Sequence, residues 1–307
     1  MANWTNTLDT IEPETISETF TTDNTTTGLT GSKKRTFKKK LPYNIIPKKS
    51  IKRHLWLIPF INGIIIIFTS FVPFISTIPN GSVYPIWPFV NETGSVIPVA
   101  KYFSTFLDVI AALTIFVGII IYKQIHYYAW ELQQRFELDQ PKDDKKINSL
   151  QSSRKIIMVT SILMSIGLVI IGNFRKIQNL NGHMIGVTIF LPSGIIYCFA
   201  LVCIYLIIDS YGIQSSPTMI IVIIMINLSS TICCIVSAVL STSEQHKSIW
   251  QYYKYDNELR LQWNSTMSGY SLHVLGDVCQ WISLSTFGPL NIAIGRRFKM
   301  FQRWDCI

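Results

Sequence analysis

Residues 218–241 read TMIIVIIMINLSSTICCIVSAVLS and hold no charged side chain. A run of this kind matches the roughly 20 apolar residues that an α-helix needs to cross the ~30 Å hydrocarbon core of a bilayer. Small residues recur in it at spacing four, as Ser229, Cys233, Ser237, Ser241 and as Ser230, Cys234, Ala238. Small side chains at that spacing let a second helix approach closely. The stretch therefore reads as a membrane helix packed in a bundle.

Five further runs approach or exceed the spanning length, near 55–78, 103–122, 156–173, 184–208 and 271–294. Between them only 15% of all residues are charged, against roughly 25% in a soluble domain. Mean hydropathy is positive, at +0.31. The expected fold is all-α, a polytopic six-helix transmembrane bundle over 55–294. It is flanked by a tail at 1–54 and a short basic tail at 295–307. The third run is the shortest and offers Ser161 and Ser165 for close packing, while Gly182 and Gly186 begin the fourth. Pro59 and Pro73 in the first run, and Pro192 with Gly194 in the fourth, are expected to bend their helices.

Orientation follows from two independent signals. Six spans place both termini on one side. That side holds 21 of the 27 Lys and Arg residues, ten of them in 33–53 and seven in 123–155. The positive-inside rule makes it the cytosol. The sequons at Asn80, Asn91 and Asn264 all fall in the opposite loops, where glycosylation takes place. Asn3 and Asn24 in the tail, and Asn227 inside a span, are expected to stay bare. Residues 1–32 are polar, so the first span is expected to act as an internal signal. Segment 123–155 mixes seven bases with five acids and is expected to be a solvated, partly helical connector.

The amino-terminal tail has two parts. Residues 1–32 carry five acids, no base and eleven Thr, a composition that cannot bury a core and is expected to be disordered. Residues 33–53 carry ten bases and no acid. Lys38, Lys39, Lys40, Lys48, Lys49, Lys52 and Arg53 set topology and are also expected to contact anionic cytosolic lipid, at ~1 kcal/mol per base near the surface. The YNII tetrad from Tyr43 to Ile46 fits a tyrosine-based sorting pattern of low specificity. Of six cysteines, Cys198, Cys203, Cys233, Cys234 and Cys279 lie in apolar runs and Cys306 in the tail. They are expected to be small buried hydrophobes without disulfides. No Cys/His metal spacing is present, and no metal or other cofactor is expected.

Polar residues inside the runs carry more information, because ionisable groups in lipid are costly. Asp108, Asn173, His183, His273, Asp277 and Gln280 all project to the non-cytosolic half when helix directions alternate. Asn62, near the cytosolic end of the first helix, is the exception. Three readings stand for the group: mutual pairing that organises the bundle, a polar pocket or lipid head-group site, and catalysis. Pairing of Asp277 with His273, one turn earlier, is the first expectation. No H-E-x-x-H, P-loop, dinucleotide fingerprint or Ser-His-Asp order supports the third.

Three stretches then carry a resemblance. PFVNETGSVIP at 88–98 resembles a P-x-I-S-D-T-G-x-x-P segment through Pro88, Thr93, Gly94 and Pro98. GNFRKIQNLNGHMIG at 172–186 resembles G-N-F-Q followed by H-x-x-G, through Gly172, Asn173, Phe174, His183 and Gly186. LQWNSTMSGYSLHVLGDVCQW at 261–281 matches through Leu261, Trp263, Asn264, Tyr270, His273, Val274, Cys279 and Trp281. The pattern is that of the Frag/DRAM/Sfk membrane family, with its CWH-type amino-terminal domains, and it covers about 55–298. Departures are Val99 and Ala100 after Pro98, Gln280 for a family Glu, Asp277 at a usually small position, and Pro217-Thr218 in place of a base.

The resemblance implies a six-helix bundle with cytosolic termini and a non-enzymatic regulator of the autophagy-modulator type, in lysosomal or endosomal membranes. It implies, as the alternative, an accessory factor in phosphoinositide kinase anchoring or in GPI-anchor or membrane lipid remodelling, at the plasma membrane or Golgi. A channel component is disfavoured by the lack of inverted repeats. Expected partners are the bilayer, anionic phospholipid, and membrane or cytosolic proteins; no nucleic acid is expected.

Overall fold

The computed structural model describes residues 54–77, 79, 90–139, 144–176, 178–211, 217–244 and 268–300, with isolated positions between 246 and 266. The helices are α1 (Leu57–Thr77), α2 (Val90–Thr93), α3 (Val99–Asp139), α4 (Asp144–Asn173), α5 (Leu180–Ser210), α6 (Thr218–Glu244) and α7 (Tyr270–Met300). No strand occurs among the described residues. The polybasic stretch, the YNII tetrad, Asn3, Asn24, Asn80, Asn264 and Cys306 lie outside the described residues, as does the Asn91 side chain.

The six long helices form an up-and-down ring in the order α1, α3, α4, α5, α6, α7, closed by α7 packing on α1. Close contacts fix the directions. Gly63 faces Gly288 and Phe60 faces Gly295, so α1 and α7 are antiparallel. Gly167 faces Gly186 across α4 and α5, and Gly118 faces Ser161 across α3 and α4. At both glycine pairs the bare Cα lets two backbones meet. A Cβ on Gly167 would lie 2.9 Å from the Gly186 carbonyl oxygen, and one on Gly186 would lie 3.0 Å from that of Gly167. Ser165 Oγ donates across the α3–α4 seam to the Ala111 carbonyl at 2.8 Å. The beginning of α1 and the end of α7 share one end of the bundle, called here the near end. The Phe174–Asn179 turn and α2 lie at the far end.

Five helices, α1, α3, α4, α5 and α6, are long and apolar enough to cross a membrane. Their outward faces are sheathed in apolar side chains, among them Phe68, Ile75, Phe116, Val159, Phe199 and Ile232. So broad an apolar surface fits lipid, not water. By composition α7 falls short of the other five. Its polar residues His273, Asp277, Ser283 and Asn291 are all buried. It nonetheless runs beside the spanning α1, from Gly295 at Phe60 to Trp281 against Phe74, ring centroids 5.1 Å apart. It therefore traverses the same slab, and packing supplies what hydropathy does not.

The segment expected to be a solvated, partly helical connector is mostly helix, and one side of it is buried instead of solvated. α3 has 41 residues, about 61 Å at 1.5 Å per residue, twice the hydrocarbon thickness. It projects beyond the near end together with the start of α4. Tyr127, Tyr128, Leu132, Ile147 and Leu150 are buried there, and Gln124 Nε2 donates to Tyr128 Oη at 3.1 Å. Cations sit over tyrosine rings on the same side: Arg154 over Tyr122 at 5.0 Å, Lys146 over Tyr211 at 5.2 Å, and Arg297 over Tyr205 at 4.8 Å. Such pairs hold charge against an apolar surface.

The cysteine expectation needs one correction. Cys198 and Cys279 are buried, Cys233 and Cys234 are half-buried, but Cys203 faces outward. A thiol is apolar enough to face lipid, so burial in protein is not required of it. All five described cysteines are free.

Candidate functional site

A cavity of ≈ 190 Å³ runs inside the ring, lined from every helix. Its walls are mostly apolar, with Phe103, Leu107, Ile110, Leu168, Phe190 and Phe287 among them. Polar groups gather at its far end: Lys176, His183, His273 and Gln280. Lys176 and His183 are each 2% exposed and His273 is 6% exposed.

Each of these groups is held by local structure. Asn179 caps α5, its side chain accepting from the Gly182 N–H at 2.9 Å, which satisfies one unbonded donor of the first turn. The cap sets the start of α5 so that His183 Nδ1 lies 2.9 Å from the Phe174 carbonyl oxygen. That bond ties the α5 entry back to the end of α4 and places Lys176 between them. The short helix α2 is tucked inward: Val90 and Thr93 are buried, and the Val90 N–H donates to Gln280 Oε1 at 3.1 Å. Gln280 thus anchors the first far loop onto α7. A family glutamate there would accept the same bond.

The other sequence candidates divide. His273 Nε2 lies 3.4 Å from Asp277 Oδ2, one turn apart on α7, and Asp277 is buried. Asp277 does not line the cavity; it backs His273. Asn173 Nδ2 donates to Asp108 Oδ1 at 3.3 Å, but this pair sits at the α3–α4 surface, and neither residue reaches the cavity. The six candidates therefore form two groups, not one cluster. Among the described residues no three His, Cys, Asp or Glu side chains converge to hold a metal ion.

Deeper in the bundle two polar clusters join helices. Asn227 Nδ2 donates to the Ser283 carbonyl at 2.6 Å and to Thr286 Oγ1 at 2.8 Å, and Cys198 Sγ lies 3.7 Å from Asn227 Oδ1. The sequon asparagine in α6 is thus a buried link between α6 and α7. Toward the near end Asn62 Nδ2 lies 3.3 Å from Asn291 Oδ1 and 3.4 Å from Thr114 Oγ1. Thr114 and Asn291 line the cavity, so this cluster forms its floor.

Sequence reasoning missed Lys176 and Asn291. The signal for Lys176 was its place between Asn173 and His183, inside a stretch already singled out. The cavity's far end is built from all three of the resemblance stretches: Val90 from the first, Lys176 and His183 from the second, His273 and Gln280 from the third.

A ring of membrane helices around a polar-headed cavity defines a multi-pass integral membrane protein. Residues 54–291 match the Frag1/DRAM/Sfk1/Cwh43P N-terminal domain, and the chain belongs to that family. It is similar to DNA damage-regulated autophagy modulator protein 2 of Homo sapiens, 25% identical over 235 residues that cover 75% of this chain and 80% of the relative. The Bos taurus protein of the same name is 24% identical over the same shares. That of Rattus norvegicus is 25% identical over 72% of this chain and 76% of its own length. No solved structure matches the chain.

Proposed function

We propose that the protein is a non-enzymatic regulator in endosomal or lysosomal membranes, acting in autophagy as its similar relatives are named for. The observation that carries the reading is the convergence of the three family stretches on one buried far end. Polar groups from all three stretches are then gathered at that end, where His273 Nε2 lies 3.4 Å from Asp277 Oδ2. A buried contact of this kind, one turn apart on a single helix, suits bundle organisation. Deletion of the gene should lower autophagic flux on starvation, read as turnover of a lipidated autophagosome marker with and without lysosomal inhibition. Unchanged flux would refute this role. The second reading, an accessory to membrane lipid remodelling, draws on the apolar cavity with its polar end. It expects altered anchor-lipid composition of GPI-linked proteins in the same deletion.

We further propose that the near end faces the cytosol. The rings that carry Arg154, Lys146 and Arg297 at that end suit an interface rich in positive charge. Asn80, Asn91 and Asn264 then face the lumen. Substituting them singly and together should remove a glycosidase-sensitive mass shift from at least one site, while Asn24→Gln leaves it unchanged. A shift that depends on Asn24 would invert the topology.

A further inference from the structure

We propose that the central cavity holds one alkyl chain of an anionic amphiphile from the far leaflet, with its head group at Lys176, His183 and His273. This site goes beyond the regulatory reading and does not depend on the compartment.

Shape comes first. Along α7 the lining runs from His273 to Asn291, about 27 Å at 1.5 Å per residue. Along α5 it runs from His183 to Tyr197, about 21 Å. The cavity of ≈ 190 Å³ thus forms an elongated slot along the bundle axis. Apolar cavities of about 150 Å³ stay dry and take up hydrocarbon. A cavity this long, walled mostly by apolar side chains, suits an extended chain.

The ends differ in chemistry. The far end presents a buried ammonium, two imidazoles and an amide. A cation at the head of an apolar slot favours a phosphate or carboxylate there, through charge-assisted hydrogen bonds. At the floor Asn62 bonds Asn291 and Thr114, polar groups that disfavour passage of an alkyl chain to the other leaflet. The arrangement is that of a holding site.

The way in is lateral. Met184, Val187 and Leu191 of α5 and Cys234, Ile235 and Ala238 of α6 line the slot from the two sides of one seam. That seam is the loosest in the ring. Ile235 both lines the slot and is 42% exposed on the outer face, so the slot reaches lipid there. Cys198 and Asn227 close the seam below it.

The test uses the full chain in nanodiscs of phosphatidylcholine with a minor fraction of phosphatidylserine that carries a diazirine near the end of one acyl chain. Oleate with the same photoreactive group forms a second arm, to distinguish a diacyl lipid from a single-chain acid. Cross-links are expected on slot residues such as Leu168, Phe190 or Phe287 in at least one arm, and to be competed by the unlabelled amphiphile. Lys176→Gln should lower labelling about tenfold, the loss of one charge-assisted hydrogen bond. Ala238→Trp, which plugs the lateral mouth, should abolish slot labelling, with size-exclusion profile and melting temperature checking that each variant is folded. Labelling confined to outward residues such as Phe199 and Ile232 would overturn the proposal. So would slot labelling that folded Lys176→Gln and Ala238→Trp proteins both retain in full.

Discussion

Gly63→Val should prevent the bundle from closing, so that little monodisperse protein survives detergent extraction. A Cβ at Gly63 would lie 2.5 Å from the Gly288 carbonyl oxygen and 2.8 Å from Ile292 Cγ1. The first obstacle is backbone and cannot swing aside, so α7 must move away from α1. Crowding a packed core costs about 1–3 kcal/mol, and more where nothing relaxes. What does fold should melt on the order of 10 °C below the parent. The matched control is Gly194→Ala. Its Cβ would meet Phe287 Cζ at 3.6 Å and Met164 Cε at 4.0 Å, ordinary contacts. The change should leave stability unaltered or raise it by about 0.5–1 kcal/mol, because glycine weakens a helix interior. Melting of the extracted proteins, followed by intrinsic fluorescence, separates the cases. A Gly63→Val protein as stable as the parent would contradict the α1–α7 crossing.

The second large effect is expected at His273. Leucine there leaves the buried Asp277 carboxylate without the imidazole that now lies 3.4 Å away. Taking away one partner of a buried polar pair costs about 1–3 kcal/mol, and more where the group left behind is charged. Removing both partners should cost less, as two leucines restore an apolar seam. The His273→Leu protein should therefore melt well below the parent, and the His273→Leu/Asp277→Leu double variant should recover most of the loss. Equal loss in the single and double variants would show that the pair is not an energetic unit.

Much of the architecture was legible because lipid imposes a simple rule. Backbone polar groups must be satisfied within each span, so long apolar runs become helices. The α3 and α4 extensions escaped that rule. Their mixed charges mask a helical repeat that buries Tyr128, Leu132 and Leu150, and hydropathy alone does not register it. Depth along the membrane was legible too, since helix direction fixes it, and His183, His273 and Gln280 do share the far end. Position around the ring was not. Asp108 and Asn173 lie at the right depth but on the outer side of their helices, which only packing decides. Asn62 looked isolated because its partner, Asn291, belongs to the last helix. The Gly63–Gly288 crossing was hidden for the same reason. Lys176 looked like an ordinary loop base until the turn at Phe174–Asn179 placed it inside the bundle.

Asp277 illustrates how a departure from family pattern is absorbed. The resemblance implies a small residue at its position, and His273, one turn away, lies 3.4 Å from its carboxyl group. Gln280, in place of a family glutamate, still accepts the Val90 N–H. The α2 anchor is made by Gln280, which lines the cavity, while the carboxyl group of Asp277 lies behind the wall.

The most direct test of an endomembrane regulatory role is the location of the native protein. The full chain, tagged at its own locus, should overlap lysosomal or endosomal markers in fed cells, and the overlap should persist or rise on starvation. A protein that never overlaps those markers in either state would contradict the account.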